Sequence, residues 1–123
     1  MRIEFVLPYP PTVNTYWRRR GSTYFVSKAG ERYRRDVALI VRQQRLELNL
    51  SGRLAIKITA EPPDKRCRDL DNILKAPLDA LTHAGLLIDD EQFDEINIVR
   101  GQPVPGGRLG VKICEIRGVS NGA

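Results

Sequence analysis

Residues Leu54-Ala55-Ile56-Lys57-Ile58-Thr59-Ala60-Glu61 alternate apolar and polar side chains almost without a break. A period of two puts Leu54, Ile56, Ile58 and Ala60 on one face and Lys57, Thr59 and Glu61 on the other, the pattern of a strand buried on one side. Leu109-Gly110-Val111-Lys112-Ile113-Cys114 repeats it near the other end of the chain, and Ile3, Phe5 and Leu7 share a face before Pro8 closes the first segment. A chain built this way has to form a sheet and cover one side of it. Phe93 to Val99, with Ile96 and Ile98 on one face, adds a strand, and Pro103-Val104-Pro105-Gly106-Gly107 reads as a turn pairing it with the last strand in a hairpin.

Two helices supply the cover. Ser27 is placed to cap a helix over about 28–48, in which Tyr33, Val37, Ile40, Val41 and Leu48 recur near helical period while Arg32, Arg34, Arg35, Arg42 and Arg45 fall mostly elsewhere. A second helix follows Asp69-Leu70-Asp71-Asn72, runs to about His83 and stops at Gly85. Pro77 lacks an N–H, so either the regular helix begins near Ile73 or Leu74 or it is kinked. Pro8 to Gly21 reads as an exposed loop, with Tyr24-Phe25-Val26 a short strand after it. The expected fold is α+β: two helices packed on a small mixed sheet of about four strands, in the order strand, helix, strand, helix, hairpin.

At 123 residues and 13.9 kDa, this fits one domain, over residues 1–117, with a small polar tail, 118–123, expected to fray. No apolar run approaches the roughly 18–20 residues of a membrane span, and Met1 to Phe5 lacks the pattern of a signal peptide. Cys67 and Cys114 stand apart, which supports neither a zinc framework nor a disulfide scaffold, so a cytoplasmic setting is expected. The net charge of +5 conceals an asymmetry. Residues 1–68 carry 15 Lys+Arg against 6 Asp+Glu, whereas residues 69–123 carry 5 against 9. Most of the basic residues are Arg, whose planar fork suits bidentate phosphate contact. The basic first half suits a polyanionic partner; the acidic second half calls for a different role.

Asp69 and Asp71 are two apart, so an extended backbone points both carboxylates to one side, and Lys75 lies one helical turn beyond Asp71. Asp89-Asp90 returns after a helix of a dozen or so residues, far enough for the chain to come back beside its start. So many like charges in one place repel unless a cation or protons neutralise them. A hard divalent ion with oxygen ligands is the natural resolution. Taken singly, each feature has an ordinary use: Asp69 or Asp71 as a helix cap, Asp89-Asp90-Glu91 as a solvated turn, Lys75 as a surface residue paired with Asp71 or Asp79. In combination, next to Lys65, Arg66 and Arg68, they match what metal-assisted phosphodiester hydrolysis needs.

The run Pro63-Asp64-Lys65-Arg66-Cys67-Arg68-Asp69-Leu70-Asp71-Asn72-Ile73-Leu74-Lys75-Ala76, with Leu78-Asp79-Ala80-Leu81-Thr82, Ala84-Gly85 and Asp89-Asp90 behind it, resembles the signature of the RusA family of Holliday junction resolvases. Pro8, Pro10-Pro11, Asn14, Tyr16-Trp17-Arg18, Val26-Ser27 and Gly106-Gly107-Arg108-Leu109 extend the resemblance over nearly the whole chain. It implies a RusA-like fold and a bacterial or phage-encoded homodimeric endonuclease. Such an enzyme nicks four-way DNA junctions symmetrically in recombination and repair, with Mg2+, for which Mn2+ substitutes, and with no organic cofactor. By position, Asp69, Asp71 and Asp90 match the family's metal-binding acids, Lys75 its essential lysine, and Asp89 an accompanying acid.

On this reading Asp69, Asp71 and Asp90 hold the ion and Lys75 stabilises charge developing on the phosphate or orients the water. Lys65, Arg66, Arg68, Arg18, Arg19 and Arg20, with Asn14 beside them, are the candidate DNA contacts. Tyr16 and Trp17 either stack on opened bases or pack on the first strand or in a dimer interface. Two other functions fit the same residues: a non-catalytic nucleic-acid-binding module with a structural cation site, and a metal nuclease acting on forks, flaps or duplex DNA.

Overall fold

The computed structural model describes residues 1–116; the expected fraying of 118–123 lies outside them. Four strands form one mixed sheet in the order β1-β6-β4-β5: β1 (Arg2–Pro8), β4 (Leu54–Glu61), β5 (Phe93–Arg100) and β6 (Arg108–Glu115). The strictly alternating segment is β4, and its neighbours explain why it is so regular. It lies between β6, antiparallel with Ile58 opposite Val111, and β5, parallel with Ile58 opposite Ile98. Leu54, Ile56, Ile58 and Ala60 are buried with Leu109, Val111, Ile113, Phe5 and Leu7 on the covered face. Each Leu, Ile, Val or Phe side chain among them stabilises the fold by about 1.5–3 kcal/mol on removal from water.

Helices α2 (Lys28–Gln43) and α3 (Lys75–His83) supply the cover, packing against each other and burying Tyr33, Val37, Val41, Ala76, Leu78, Ala80 and Leu81. Ser27 caps α2, its hydroxyl accepting from the Gly30 N–H at 3.0 Å. Gly30 is needed there, because a Cβ would stand 2.6 Å from Val26 Cγ1 and 2.7 Å from the Tyr16 carbonyl oxygen. The α+β class and the mixed sheet match expectation.

Three local expectations are corrected, and one open alternative is decided. The segment from Pro8 to Gly21 is not all loop: it holds a single helical turn, α1 (Val13–Tyr16), and β2 (Trp17–Arg20), which pairs with β3 (Thr23–Val26) in a separate two-stranded hairpin. Helix α2 stops at Gln43, not near 48. Arg45 takes a positive φ of 59°, the Arg45 N–H donates to the Arg42 carbonyl, and the Leu46 N–H reaches back to Val41, so the helix ends in a Schellman motif without its usual glycine. Of the two readings of Pro77, the structure takes the late helix start: a 3-10 turn over Leu70–Ile73 precedes α3, which begins at Lys75 after Leu74, so Pro77 is its third residue, where a missing N–H costs nothing. Finally, β5 and β6 are not a hairpin. Their connection passes over the end of β4, with Gly101 N–H bonded to Ala60 and Val104 N–H to Pro62, and β6 inserts between β1 and β4. Strands β4 and β5 with α3 between them form a β-α-β crossover.

Candidate active site and nucleic-acid surface

The acidic and basic candidates lie on the two connections that flank α3. After β4, the chain turns through Pro62 to Arg68, and Asp64 organises this turn. Its carboxylate accepts the Arg66 backbone N–H at 2.9 Å and pairs with Arg68 at 2.8 Å and Arg66 at 3.3 Å. Those partners, Arg68 foremost, hold the Asp64 carboxyl well below the usual carboxylate range. Arg68 also lies over the Tyr9 ring at 5.8 Å, which fixes it against the start of the chain. The turn and the β5–β6 connection line an open cleft of about 620 Å³, whose lining includes Lys65, Arg66, Arg68, Asp69 and Arg100. Asp69 flanks the 3-10 turn and Asp71 lies in it; both carboxylates are exposed and enter no ion pair among the described residues.

Lys75 opens α3. Its Nζ donates to Asp90 Oδ2 at 3.2 Å, so the chain does return to its starting point across the helix. Asp90 is delivered there by a 3-10 turn, Asp90–Gln92, closed by a capping box. Asp89 caps it, accepting from the Glu91 N–H at 3.1 Å, and Gln92 Oε1 accepts from the Asp89 N–H at 2.8 Å. The Gln92 amide is buried and donates to the Leu50 and Gly52 carbonyls, tying the turn to the strand that follows them. Asp89 thus spends one carboxylate oxygen on backbone, which sets it apart from Asp90. The Lys75–Asp90 pair is partly exposed and contributes under about 1 kcal/mol, so a phosphate or a cation displaces it at little cost.

The structure brings Lys75 and Asp90 together and keeps Asp69 and Asp71 on the adjoining turn. It does not draw the three carboxylates into a group of metal-holding size among the described residues. The donor set itself still suits a hard divalent ion: only carboxylate oxygens are offered, Asp69 and Asp71 have no competing cation among the described residues, and Asp90 is held by a weak pair. Mg2+ is held by one or two carboxylates with water and substrate phosphate supplying the rest, so it needs no closed cage of protein ligands.

Tyr16 is corrected as a base-stacking candidate. It is fully buried; its hydroxyl donates to Asp79 Oδ2 and accepts from Arg34 Nε at 3.1 Å, and Arg34 pairs with Asp79 at 2.8 Å. That cluster joins α1, α2 and α3. Trp17 meets Tyr16 edge to face at 5.4 Å and remains partly exposed, while Arg18, Arg19 and Arg20 are exposed on β2. Gln92, Asp64, Arg100 and the Tyr16–Arg34–Asp79 cluster escape sequence reading of single residues. Only Gln92 carried a local signal, the Asp-x-x-Gln spacing of a capping box.

A family model described as Endodeoxyribonuclease RusA matches residues 8–114. Among curated relatives, the crossover junction endodeoxyribonuclease of Enterobacteria phage HK97 is 60% identical over 116 residues, 94% of this chain and 97% of that protein. Crossover junction endodeoxyribonuclease RusA of Escherichia coli K12 is 41% identical over 113 residues, 92% of this chain and 94% of its own. No helix among the described residues is long and apolar enough to cross a membrane.

Proposed function

The chain belongs to the RusA family of endodeoxyribonucleases, and from that membership we infer that it hydrolyses phosphodiester bonds at four-way (Holliday) DNA junctions, in recombination and repair. The observation that carries the site assignment is the pairing of Lys75 with Asp90 at 3.2 Å, one turn along the chain from exposed Asp71 and from an arginine-lined cleft that includes Asp69. Asp69, Asp71 and Asp90 would hold a divalent cation, Mg2+ with Mn2+ able to replace it. When bound, that ion supplies an activated water and polarises the scissile phosphate. Lys75 Nζ leaves Asp90 for the phosphate and stabilises the charge that develops there. Asp89, committed to its cap, holds the Asp90 turn in place. Arg66, Arg68 and Lys65 dock the flanking backbone, and Arg18, Arg19, Arg20 and Asn14 extend that surface.

One chain presents one such set, so paired nicks call for two copies related by a two-fold axis, a homodimer. The setting is bacterial cytoplasm, acting on cellular or phage DNA. The test is cleavage of a mobile four-way junction against a duplex of the same sequence in Mg2+. The junction is cut preferentially, and Asp71→Asn abolishes cutting while junction binding persists. Equal rates on the two substrates would sink the junction reading, and wild-type cutting by Asp71→Asn would sink the site.

A further inference from the structure

The β2–β3 hairpin stands apart from the main sheet and is built unlike a structural ribbon. Trp17 opposes Val26, Arg18 opposes Phe25 and Arg19 opposes Tyr24, so both faces pair arginines with aromatic rings. Arg19 lies over Tyr24 at 5.6 Å and Arg20 over Phe25 at 5.8 Å. Tyr24 is 65% exposed. Among the described residues no carboxylate pairs with Arg18, Arg19 or Arg20, so their charge is left for an outside anion. Trp17 and Tyr24 share one face as diagonal neighbours, about 7–8 Å apart along the ribbon. With Val13, Asn14, Arg18 and Arg19 they line a mostly apolar groove of about 510 Å³.

We propose that this groove receives an unpaired base at the branch point of the DNA, stacked against Trp17 and Tyr24 while the arginines hold its phosphates. The proposal rests on the junction reading and deepens it. An apolar groove lined by two aromatic rings accepts the face of a base, and Asn14, which also lines it, offers an amide that both donates and accepts. Unneutralised arginines beside the groove select a polyanion over an uncharged ligand. A continuous duplex keeps its bases stacked inside the helix; a branch point interrupts the stack, so a base beside it leaves the helix at lower cost. The groove therefore gives the chain a means of distinguishing branched from linear DNA that phosphate contacts alone do not supply.

The test compares Tyr24→Ala, Tyr24→Phe and Arg18→Ala for binding to a four-way junction and to the matching duplex, in EDTA over a range of salt. Tyr24→Ala weakens junction binding about tenfold, the worth of one stacked base, leaves duplex binding unchanged and keeps the salt slope. Tyr24→Phe restores junction affinity. Arg18→Ala lowers the salt slope by about one on both DNAs. Equal loss on junction and duplex with Tyr24→Ala, or no loss on either, overturns the proposal. A wild-type chain that does not prefer the junction overturns the junction reading and this inference with it, whereas a junction preference undiminished in Tyr24→Ala overturns the inference alone.

Discussion

Asp79 receives both a tyrosine hydroxyl and an arginine inside the helical layer, and this cluster shows how a single residue couples the site's scaffold together. Burial first, and then the hydrogen bond to Asp79, push the Tyr16 hydroxyl far above the ordinary tyrosine range; burial does the same for Tyr33, whose hydroxyl donates to the Pro8 carbonyl at 2.9 Å. Both folded-state values lie above the unfolded value of about 10, so the folded chain holds these protons more tightly. Their contribution is complete below about pH 10 and is lost as the pH rises further. Thermal melts followed from pH 7 to 11 are expected to stay level for these groups up to about pH 9.5 and then to fall. Tyr16→Phe is expected to cost about 1–2 kcal/mol in urea denaturation at pH 7, since Asp79 loses a donor in a partly buried place, and to make the alkaline fall shallower.

At the scale of elements, the two helix ends make an instructive pair. Gly85, with φ of 88°, closes α3 in a Schellman motif, and its glycine makes that stop readable from the sequence. Arg45 closes α2 in the same way with a side chain that pays a steric penalty at positive φ, so nothing local announced the end. Arg45→Gly is expected to stabilise the chain by about 0.5–1 kcal/mol, the relief of left-handed strain less the extra freedom of glycine in the unfolded state. Differential scanning calorimetry would register this as a rise of roughly 2–5 °C in Tm. The β5–β6 pairing failed for a related reason. A Pro- and Gly-rich turn between two alternating segments is a hairpin signal, but a seven-residue connection is long enough to step over one strand. The hydrogen bonds from Gly101 and Val104 to the end of β4 fasten it there.

For the whole molecule, the division of charge noticed in the sequence becomes a division of labour in the proposed mechanism. The β2–β3 hairpin and the turn from Pro62 to Arg68 carry exposed basic residues, whereas Asp71 and Asp90 flank the start of α3. If two copies each nick one strand, mixing wild-type chain with Asp71→Asn chain under conditions that allow exchange gives hybrid dimers that nick only one strand of a junction. Gel analysis of a plasmid-borne junction is expected to show nicked circles accumulating in proportion to the hybrid, in place of linear product. Sedimentation of the wild type at micromolar concentration is expected to give about twice the chain mass.

The sequence by itself determined the α+β class, the strands β1, β4 and β6, the Ser27 cap, the Gly85 stop and the candidate residues Asp69, Asp71, Lys75 and Asp90. All of these rest on short-range periodicity, on backbone rules within one turn, or on a motif whose parts lie between Asp69 and Asp90. Tertiary structure decided what lies far apart in sequence: the parallel pairing of β4 with β5, the insertion of β6 between β1 and β4, and the burial of Tyr16 against Asp79 and Arg34. It also decided that Asp90, not Asp89, meets Lys75, because a buried Gln92 bonded to Leu50 and Gly52 sets the orientation of that turn. Local patterns record which side of an element faces inward, but which elements meet there is settled only when the whole core is packed at once.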